Sequence, residues 1–385
     1  MLGLYVHVPF CSAICNYCNF NRGLYDADLK SRYVEALVAQ IHNPAIHNQS
    51  AVRSPQSAMS LRADTIYFGG GTPSLLEPEE IARVIGACED AFDVSSDREV
   101  TLEANPESIT RERLRAYRDA GVNRLSVGVQ SFREDELRRL SRLHNVDRAN
   151  AAFGEARAAG FDNVSLDLMM WLPEQSVSQW LESVDAAIAL CPEHLSLYLL
   201  EVYPNAPLKD DMARARWSQA PDEDAATMYL EAMARLDAAG FEQYEISNVA
   251  RPGRRSRHNL KYWTDGEWLG FGCGAHSTRD GVRWKNMSST PEYIDAVSRG
   301  ASPACDVRCL TPDERLGDAM FTGLRLVDGI DANAIQTRYG VEVWRRFGAD
   351  LERFVEAGCL RRDGSRLYLT RQGMLLAHEV MTVFV

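Results

Sequence analysis

The chain has 385 residues, 45% hydrophobic and 25% charged, with a formal net charge of −12 and nine cysteines. That length and composition supply the core of one large α/β domain plus a smaller unit, and no apolar run approaches the roughly 18 residues a membrane-spanning helix needs. The acidic balance argues against a general nucleic-acid binder, whose affinity rests on Lys and Arg neutralising phosphates.

Taken in order, the elements begin with MLGLYVHVPF, which has no basic leader and no small-residue cleavage site, so no signal peptide is expected. Its apolar part, YVHVPF (5–10), is the first of six strand-like runs. The others are TIYFGG (65–70), EVTLEA (99–104), RLSVGV (124–129), NVSLDLM (163–169) and HLSLYLLEV (194–202). Helix-patterned segments lie between them, including PEEIARVIGACEDAF (78–92), RERLRAYRDAG (111–121) and VSQWLESVDAAIAL (177–190), some with a glycine stop. Gly69, Glu103, Val129, Asp167 and Leu200 mark strand ends 34, 26, 38 and 33 residues apart, the span of one β–α repeat each. Six such units predict a parallel barrel or partial barrel, with reactive groups at the C-terminal ends of the strands. Cys11, Gly70, Glu103, Gln130 and Asp167 all fall on that one rim.

Residues 44–62 are rich in Ser, Gln, Asn and Pro and read as a flexible surface insertion. Further on, DEDAATMYLEAMARLDAAG (222–240) reads as a helix, RPGRRSR (251–257) as a basic loop and 288–312 as a connector. The end of the chain reads as helices followed by a hairpin turning at Asp363–Gly364, a winged-helix pattern. Residues 311–385 carry ten Arg against eleven Asp and Glu, which favours partner docking over nucleic acid. The expected domains are 1–287, a connector at 288–312, and 313–385.

The stretch CSAICNYC places Cys11, Cys15 and Cys18 at the end of the first strand. A structural zinc site wants four ligands, commonly two separated pairs, and no His or fourth Cys stands nearby. Three packed thiols without a metal are the plainer reading. Soft thiolates this close together also suit an iron–sulfur cluster, in which three cysteines leave one iron free to bind a small molecule. An odd cysteine count with irregular spacing points to a reducing, cytoplasmic setting, not to a disulfide scaffold. Cys273 sits among glycines and apolar residues and reads as a packed thiol, while Cys305 and Cys309 lack further ligands.

Together with GGGTP (69–73), the CxxxCxxC motif resembles the radical S-adenosylmethionine superfamily. In that superfamily the methionyl amino and carboxylate groups bind the open iron, and the reduced cluster cleaves the sulfonium to a 5′-deoxyadenosyl radical. YVHVPFC, CNYCNF, GGGTPS, LEANPE, GVQSF, SLDLMMWLP, HNLKYW, GFGCGAHS and the C-terminal run from GLRLVDGIDANAI onward resemble the anaerobic coproporphyrinogen oxidase family, in its HemW branch. The resemblance implies a partial (β/α)6 radical-SAM barrel with a C-terminal winged-helix domain. It implies that Cys11, Cys15 and Cys18 hold a 4Fe–4S cluster and that Tyr5 and Tyr17 line the S-adenosylmethionine site. It further implies that Gly70, Gly71 and Thr72 meet the methionyl part and Glu103 the methionyl or ribose groups. Gln130, Arg142 and Asp167 match positions that contact a second S-adenosylmethionine in some relatives.

Within the family, the decarboxylating oxidases carry a fourth cysteine two places after the third. Phe20 occupies that position here, and only ten residues precede Cys11. The HNxxYW signature of the HemW branch is present as His258, Asn259, Tyr262 and Trp263, which the resemblance makes heme contacts. The implied function is heme binding and delivery to apo-proteins. The alternative is oxygen-independent oxidation of coproporphyrinogen III or another radical reaction on a tetrapyrrole. The expected partners are heme and an apo-hemoprotein, with neither nucleic acid nor a transmembrane segment, and peripheral membrane contact stays open. Trp171 stands where relatives usually have glycine, and the expectation is that it closes a second nucleotide site or tightens the pocket.

Overall fold

A computed structural model describes residues 1–43 and 61–385. The insertion read at 44–62 therefore lies almost wholly outside the described residues.

Six parallel strands follow the sequence in order: β1 (Leu2–Val8), β2 (Arg62–Gly70), β3 (Asp93–Ala104), β4 (Arg124–Gln130), β5 (Val164–Met170) and β6 (His194–Leu199). Each is followed by a helix, at Ala27–His42, Pro78–Ala91, Arg111–Asp119, Val146–Ala158, Val177–Ala189 and Asp222–Ala238. The helix starts are written in the sequence. Glu77 with Glu80 and Ser176 with Gln179 form reciprocal capping boxes, and Asn145 accepts from Arg148 N–H.

Shorter strands extend the sheet at both edges: β7 (Glu242–Glu245), β8 (Asn248–Ala250), β9 (Trp268–Phe271), β10 (His276–Arg279), β11 (Val282–Asn286) and β12 (Ala304–Cys309). The spatial order is β12-β11-β10-β9-β1-β2-β3-β4-β5-β6-β8-β7, so the sheet ends at two edges and the barrel is partial. Strand β9 pairs parallel to β1, whereas β8 pairs antiparallel to β6. The segment read as a connector carries a helix, Thr290–Ser298, and the edge strand β12, which pairs with β11.

Period-two alternation divides the six strands into two faces. Leu4, Val6, Ile66, Phe68, Val100, Leu102, Leu125, Val127, Leu166, Leu168, Leu195 and Leu197 belong to the hydrophobic core under the helices. The alternate positions are polar and bonded to one another across the barrel interior. Tyr67 O–H donates to Glu103 Oε1 (2.8 Å), Ser126 O–H donates to Asp167 Oδ1 (3.0 Å), and His194 Nε2 meets the Tyr244 hydroxyl (2.8 Å). A barrel lined this way can hold a polar molecule at its mouth while its outer face supplies stability.

The C-terminal unit comprises helices Pro312–Gly323, Ala332–Tyr339 and Val343–Glu356 and the hairpin Leu360–Asp363/Arg366–Leu369, with Ile330–Asp331 as a third strand. Gly364 turns the hairpin at φ +58°, in the left-handed region that glycine adopts without strain. Its apolar residues continue the barrel's hydrophobic cluster, and Arg325 makes a 3.0 Å ion pair with the fully buried Glu245.

Candidate functional site

The C-terminal ends of the six strands surround a cavity of about 370 Å³. Cys11, Cys15, Tyr17 and Cys18 line it from the first loop, and Gly70, Gly71 and Thr72 from the end of β2. Glu103 (β3), Gln130 (β4), Arg142 and Asp167 (β5) complete the wall. The rim residues scattered through the sequence thus converge on one site.

The three thiols are free, and Cys11 is buried while Cys15 and Cys18 are half-buried. Burial pushes the Cys11 and Cys18 thiols up from their ordinary range. Arg142 donates to Cys15 Sγ (3.3 Å), to Asn105 Oδ1 (2.7 Å) and to the Gly128 carbonyl (2.9 Å). Asn105 donates in turn to Thr72 Oγ1 (3.1 Å), and Thr72 O–H donates to Cys11 Sγ (3.7 Å). One polar chain therefore ties two of the cysteines to the wall of the cavity. Asn16 fastens the loop from the other side, donating to the Arg139 carbonyl (2.8 Å) and to Asp211 Oδ2 (2.9 Å). His7 Nε2 meets the Asn21 carbonyl (2.7 Å) and anchors the loop's far end.

Glycine is required where the two loops meet. A Cβ on Gly71 would stand 2.7 Å from the Phe10 carbonyl oxygen and 3.0 Å from Cys11 Sγ. Gly70 has φ +115°, and a Cβ there would strike the His7 ring at 2.6 Å. On the opposite wall, β4 shifts register between Gly128 and Gln130, and Gln130 sits at φ +70°. This bulge places the Gln130 side chain on the cavity wall, a strained arrangement of the kind that collects at binding sites.

The two acids differ in partners. Burial pushes the Glu103 carboxyl up to about 7, although Tyr67 O–H and Gly70 N–H (3.2 Å) both donate to it. Asp167 is likewise raised by burial, opposed by the Ser196 and Ser126 hydroxyls.

A 4Fe–4S cluster fits the donor set: three thiols on one loop, a side-chain-free surface at Gly71 and no fourth cysteine on the wall. No three His, Cys, Asp or Glu side chains among the described residues converge on a single ion. A cubane spreads its ligands over a larger body than one ion does.

Three expectations are placed differently from the sequence reading. Tyr5 is not on the cavity wall; its ring stacks on Tyr67 (6.2 Å between centroids) and its hydroxyl meets His7 Nδ1 (3.0 Å) one layer below. Trp171 also stays off the wall. Its φ of +61° accounts for glycine being favoured there, and its indole N–H donates to the Ala220 carbonyl (2.7 Å), drawing the ring away from the cavity.

The third concerns HNLKYW, which forms the helix Arg257–Trp263 across the opposite end of the barrel. Glu99 accepts from the N–H groups of Arg257 and His258 (3.1 Å each). His258 is 1% exposed, with Nδ1 on Thr65 Oγ1 (2.8 Å), Nε2 on the Tyr262 hydroxyl (2.9 Å) and its ring 5.0 Å from that of Tyr67. Burial lowers its pKa to about 3, so the imidazole is neutral. Tyr262 packs edge-on against Trp268 (4.6 Å), and the Arg325 guanidinium lies 4.4 Å from the Trp263 ring. Asn259 N–H completes the Ser256 cap. Thr65 precedes Gly70 by five strand residues, about 16 Å of β-strand. The motif therefore plugs the barrel floor, with both ring nitrogens of His258 engaged.

Residues the sequence reading passed over matter most at the mouth: Asn105, which links Arg142 to Thr72, and Arg22, Tyr198, Leu199 and Tyr203 on the wall. Asn105 had a signal in the LEANPE string, two residues after Glu103.

Comparison with known proteins agrees with this fold. Residues 5–187 match the Radical SAM superfamily and 310–376 the HemN C-terminal domain. The chain is 36% identical to "Heme chaperone HemW" of Bacillus subtilis, covering 100% of this chain and 99% of the relative. It is 37% identical to the protein of that name in Mycobacterium tuberculosis (98% and 93% covered). It is 34% identical to "Radical S-adenosyl methionine domain-containing protein 1, mitochondrial" of Bos taurus (98% and 86%). Its fold is that of coproporphyrinogen III oxidase (HemN) from Escherichia coli, with a TM-score of 0.84 at 23% identity over 100% of this chain and 89% of that one.

Proposed function

Because the chain belongs to the radical S-adenosylmethionine superfamily and, within it, to the HemW family, we propose that it is a heme chaperone: a 4Fe–4S protein that binds S-adenosylmethionine, takes up heme and passes it to apo-proteins. The observation that carries this is likeness to proteins named heme chaperones through both the barrel and the C-terminal unit. Phe20 in the position of a fourth cysteine supports the same branch.

In this reading Cys11, Cys15 and Cys18 hold the cluster, and Arg142 and Thr72 donate hydrogen bonds to two of the sulfurs. Gly70, Gly71, Thr72 and Glu103 receive the cofactor beside it. When bound, the cluster supplies an electron for the sulfonium of S-adenosylmethionine. Gln130, Arg142 and Asp167 belong to the same wall, and about 370 Å³ is near the lower end of small-molecule sites, roughly 300–1,000 Å³. That size supports one cofactor molecule. His258, Tyr262 and Trp263 serve the barrel floor and its junction with the C-terminal unit.

The test is anaerobic reconstitution followed by hemin titration, transfer to an apo-hemoprotein, and analysis for 5′-deoxyadenosine. A chaperone binds one heme per chain and releases it to the acceptor. Consumption of coproporphyrinogen III without heme binding would identify the oxidase instead.

A further inference from the structure

Among the described residues, thirteen large hydrophobic side chains are exposed, two of them at the chain ends. Eight of the thirteen fall in three segments that reach the cavity. They are Ile14, Phe20, Leu24 and Tyr25 in and around the cysteine loop, Leu143 next to Arg142, and Tyr198 and Leu199 at the end of β6 with Tyr203 just beyond it. Phe20 is 64% exposed, Leu199 48% and Tyr198 43%, and all three line the mouth of the cavity. Exposed apolar surface gathered at one place marks a binding face.

Nothing folded within the described chain covers this rim, and its chemistry is specific. Phe20, Tyr198, Leu199 and Tyr203 all line the cavity. Arg22 stands on the same wall, donating to the Phe20 carbonyl (3.1 Å) and to that of Cys18. Exposed aromatic and aliphatic side chains with a guanidinium beside them suit a flat amphipathic disc carrying carboxylates. At about 370 Å³ the cavity already has the cluster and its cofactor to receive, so such a disc would lie across the mouth and not inside.

We infer that the heme-binding surface is this rim, with Phe20 and Leu199 against the macrocycle and Arg22 toward a propionate. This deepens, and rests on, the heme-chaperone reading above. It also gives the Phe20 position a role of its own: where a fourth thiol is missing, an exposed aromatic ring borders the cluster site. The barrel-floor helix, about 16 Å along the strands from the mouth, then shapes the barrel without touching heme.

The experiment is a hemin titration, under anaerobic conditions, of reconstituted protein with S-adenosylmethionine present. Wild type, Phe20→Asp, Leu199→Asp and His258→Gln are compared by Soret absorbance, with iron–sulfur absorbance recorded on each sample. The expected result is saturation at one heme per chain in wild type and His258→Gln, and roughly tenfold or weaker affinity in both rim variants. Cluster absorbance stays unchanged in Leu199→Asp, which lies on a different element from the cysteines and so decides the matter if Phe20→Asp loses its cluster. Wild-type affinity in Leu199→Asp, or loss of binding in His258→Gln alone with its fold intact, overturns the rim assignment. Failure of the wild type to bind heme at all sinks the chaperone reading instead, so the two are told apart.

Discussion

Replacing Glu103 by Gln should make the protein more stable at alkaline pH and less stable in acid. Burial raises the Glu103 carboxyl from its ordinary 4.5 to about 7. The folded state therefore binds the proton more tightly than the unfolded chain, and stability falls as pH rises from about 4.5 through 7. At 1.36 kcal/mol per pK unit, the full penalty above pH 7 is about 3 kcal/mol. The amide carries no charge and escapes that penalty. It can, however, accept from only one of Tyr67 O–H and Gly70 N–H, which costs about 1 kcal/mol. The net expectation is a gain of about 2 kcal/mol at pH 8 and a loss of about 1 kcal/mol at pH 4, with the two curves crossing between. Urea unfolding of cluster-free protein from pH 4 to pH 8.5 under reducing conditions reads this directly. An offset between wild type and E103Q that stays constant with pH would refute the assignment of a raised carboxyl. Cofactor affinity should fall in the same variant, because the stabilised protein has given up the anion at its binding wall.

Three further substitutions probe other parts of the structure. Gly71→Ala puts a methyl against the Phe10 carbonyl and Cys11 Sγ, so reconstituted iron content should drop while far-ultraviolet circular dichroism stays native; full iron loading would contradict the close packing of the two loops. His258→Ala removes two hydrogen bonds and a stacked ring from a fully buried site and should cost about 3 kcal/mol in urea; a change within 0.5 kcal/mol, the ordinary range for surface sites, would contradict its role as a floor residue. Arg325→Ala leaves the Glu245 carboxylate buried without its ion-pair partner and should destabilise by about 3–5 kcal/mol, with early proteolysis near the C-terminal unit; wild-type unfolding and digestion would show that the junction does not depend on the pair.

The six parallel strands were legible because they are apolar runs of strand length that close near a glycine, a proline or a carboxylate. The helices between them carry capping residues that the sequence displays openly. The site was legible for a related reason: in a parallel barrel every strand ends on the same rim, so Cys11, Gly70, Glu103, Gln130 and Asp167 could be brought together without coordinates. The floor helix was not. Among its seven residues only His258 is buried, so it has no apolar stripe to read, and its stability comes from Glu99 and Ser256 at its start. Strands β10 to β12 are short and rich in polar and charged residues, and β12, an edge strand, resembled a connector. The bulge at Gln130 and the turn at Trp171 depend on left-handed backbone that neither residue type announces. The apolar rim escaped notice because Phe20 lies in the cysteine loop while Leu199 and Tyr203 lie at and just beyond the end of β6, with no common periodicity.

The measurement that bears most directly on the whole account is electron paramagnetic resonance of the reduced, reconstituted protein with and without S-adenosylmethionine. A single 4Fe–4S signal that changes when the cofactor is added, and that is absent from Cys15→Ala, is the expected result. A signal indifferent to the cofactor, or an unaltered cluster in the Cys15→Ala protein, would mean that these three sulfurs do not hold an open iron at the mouth of the barrel.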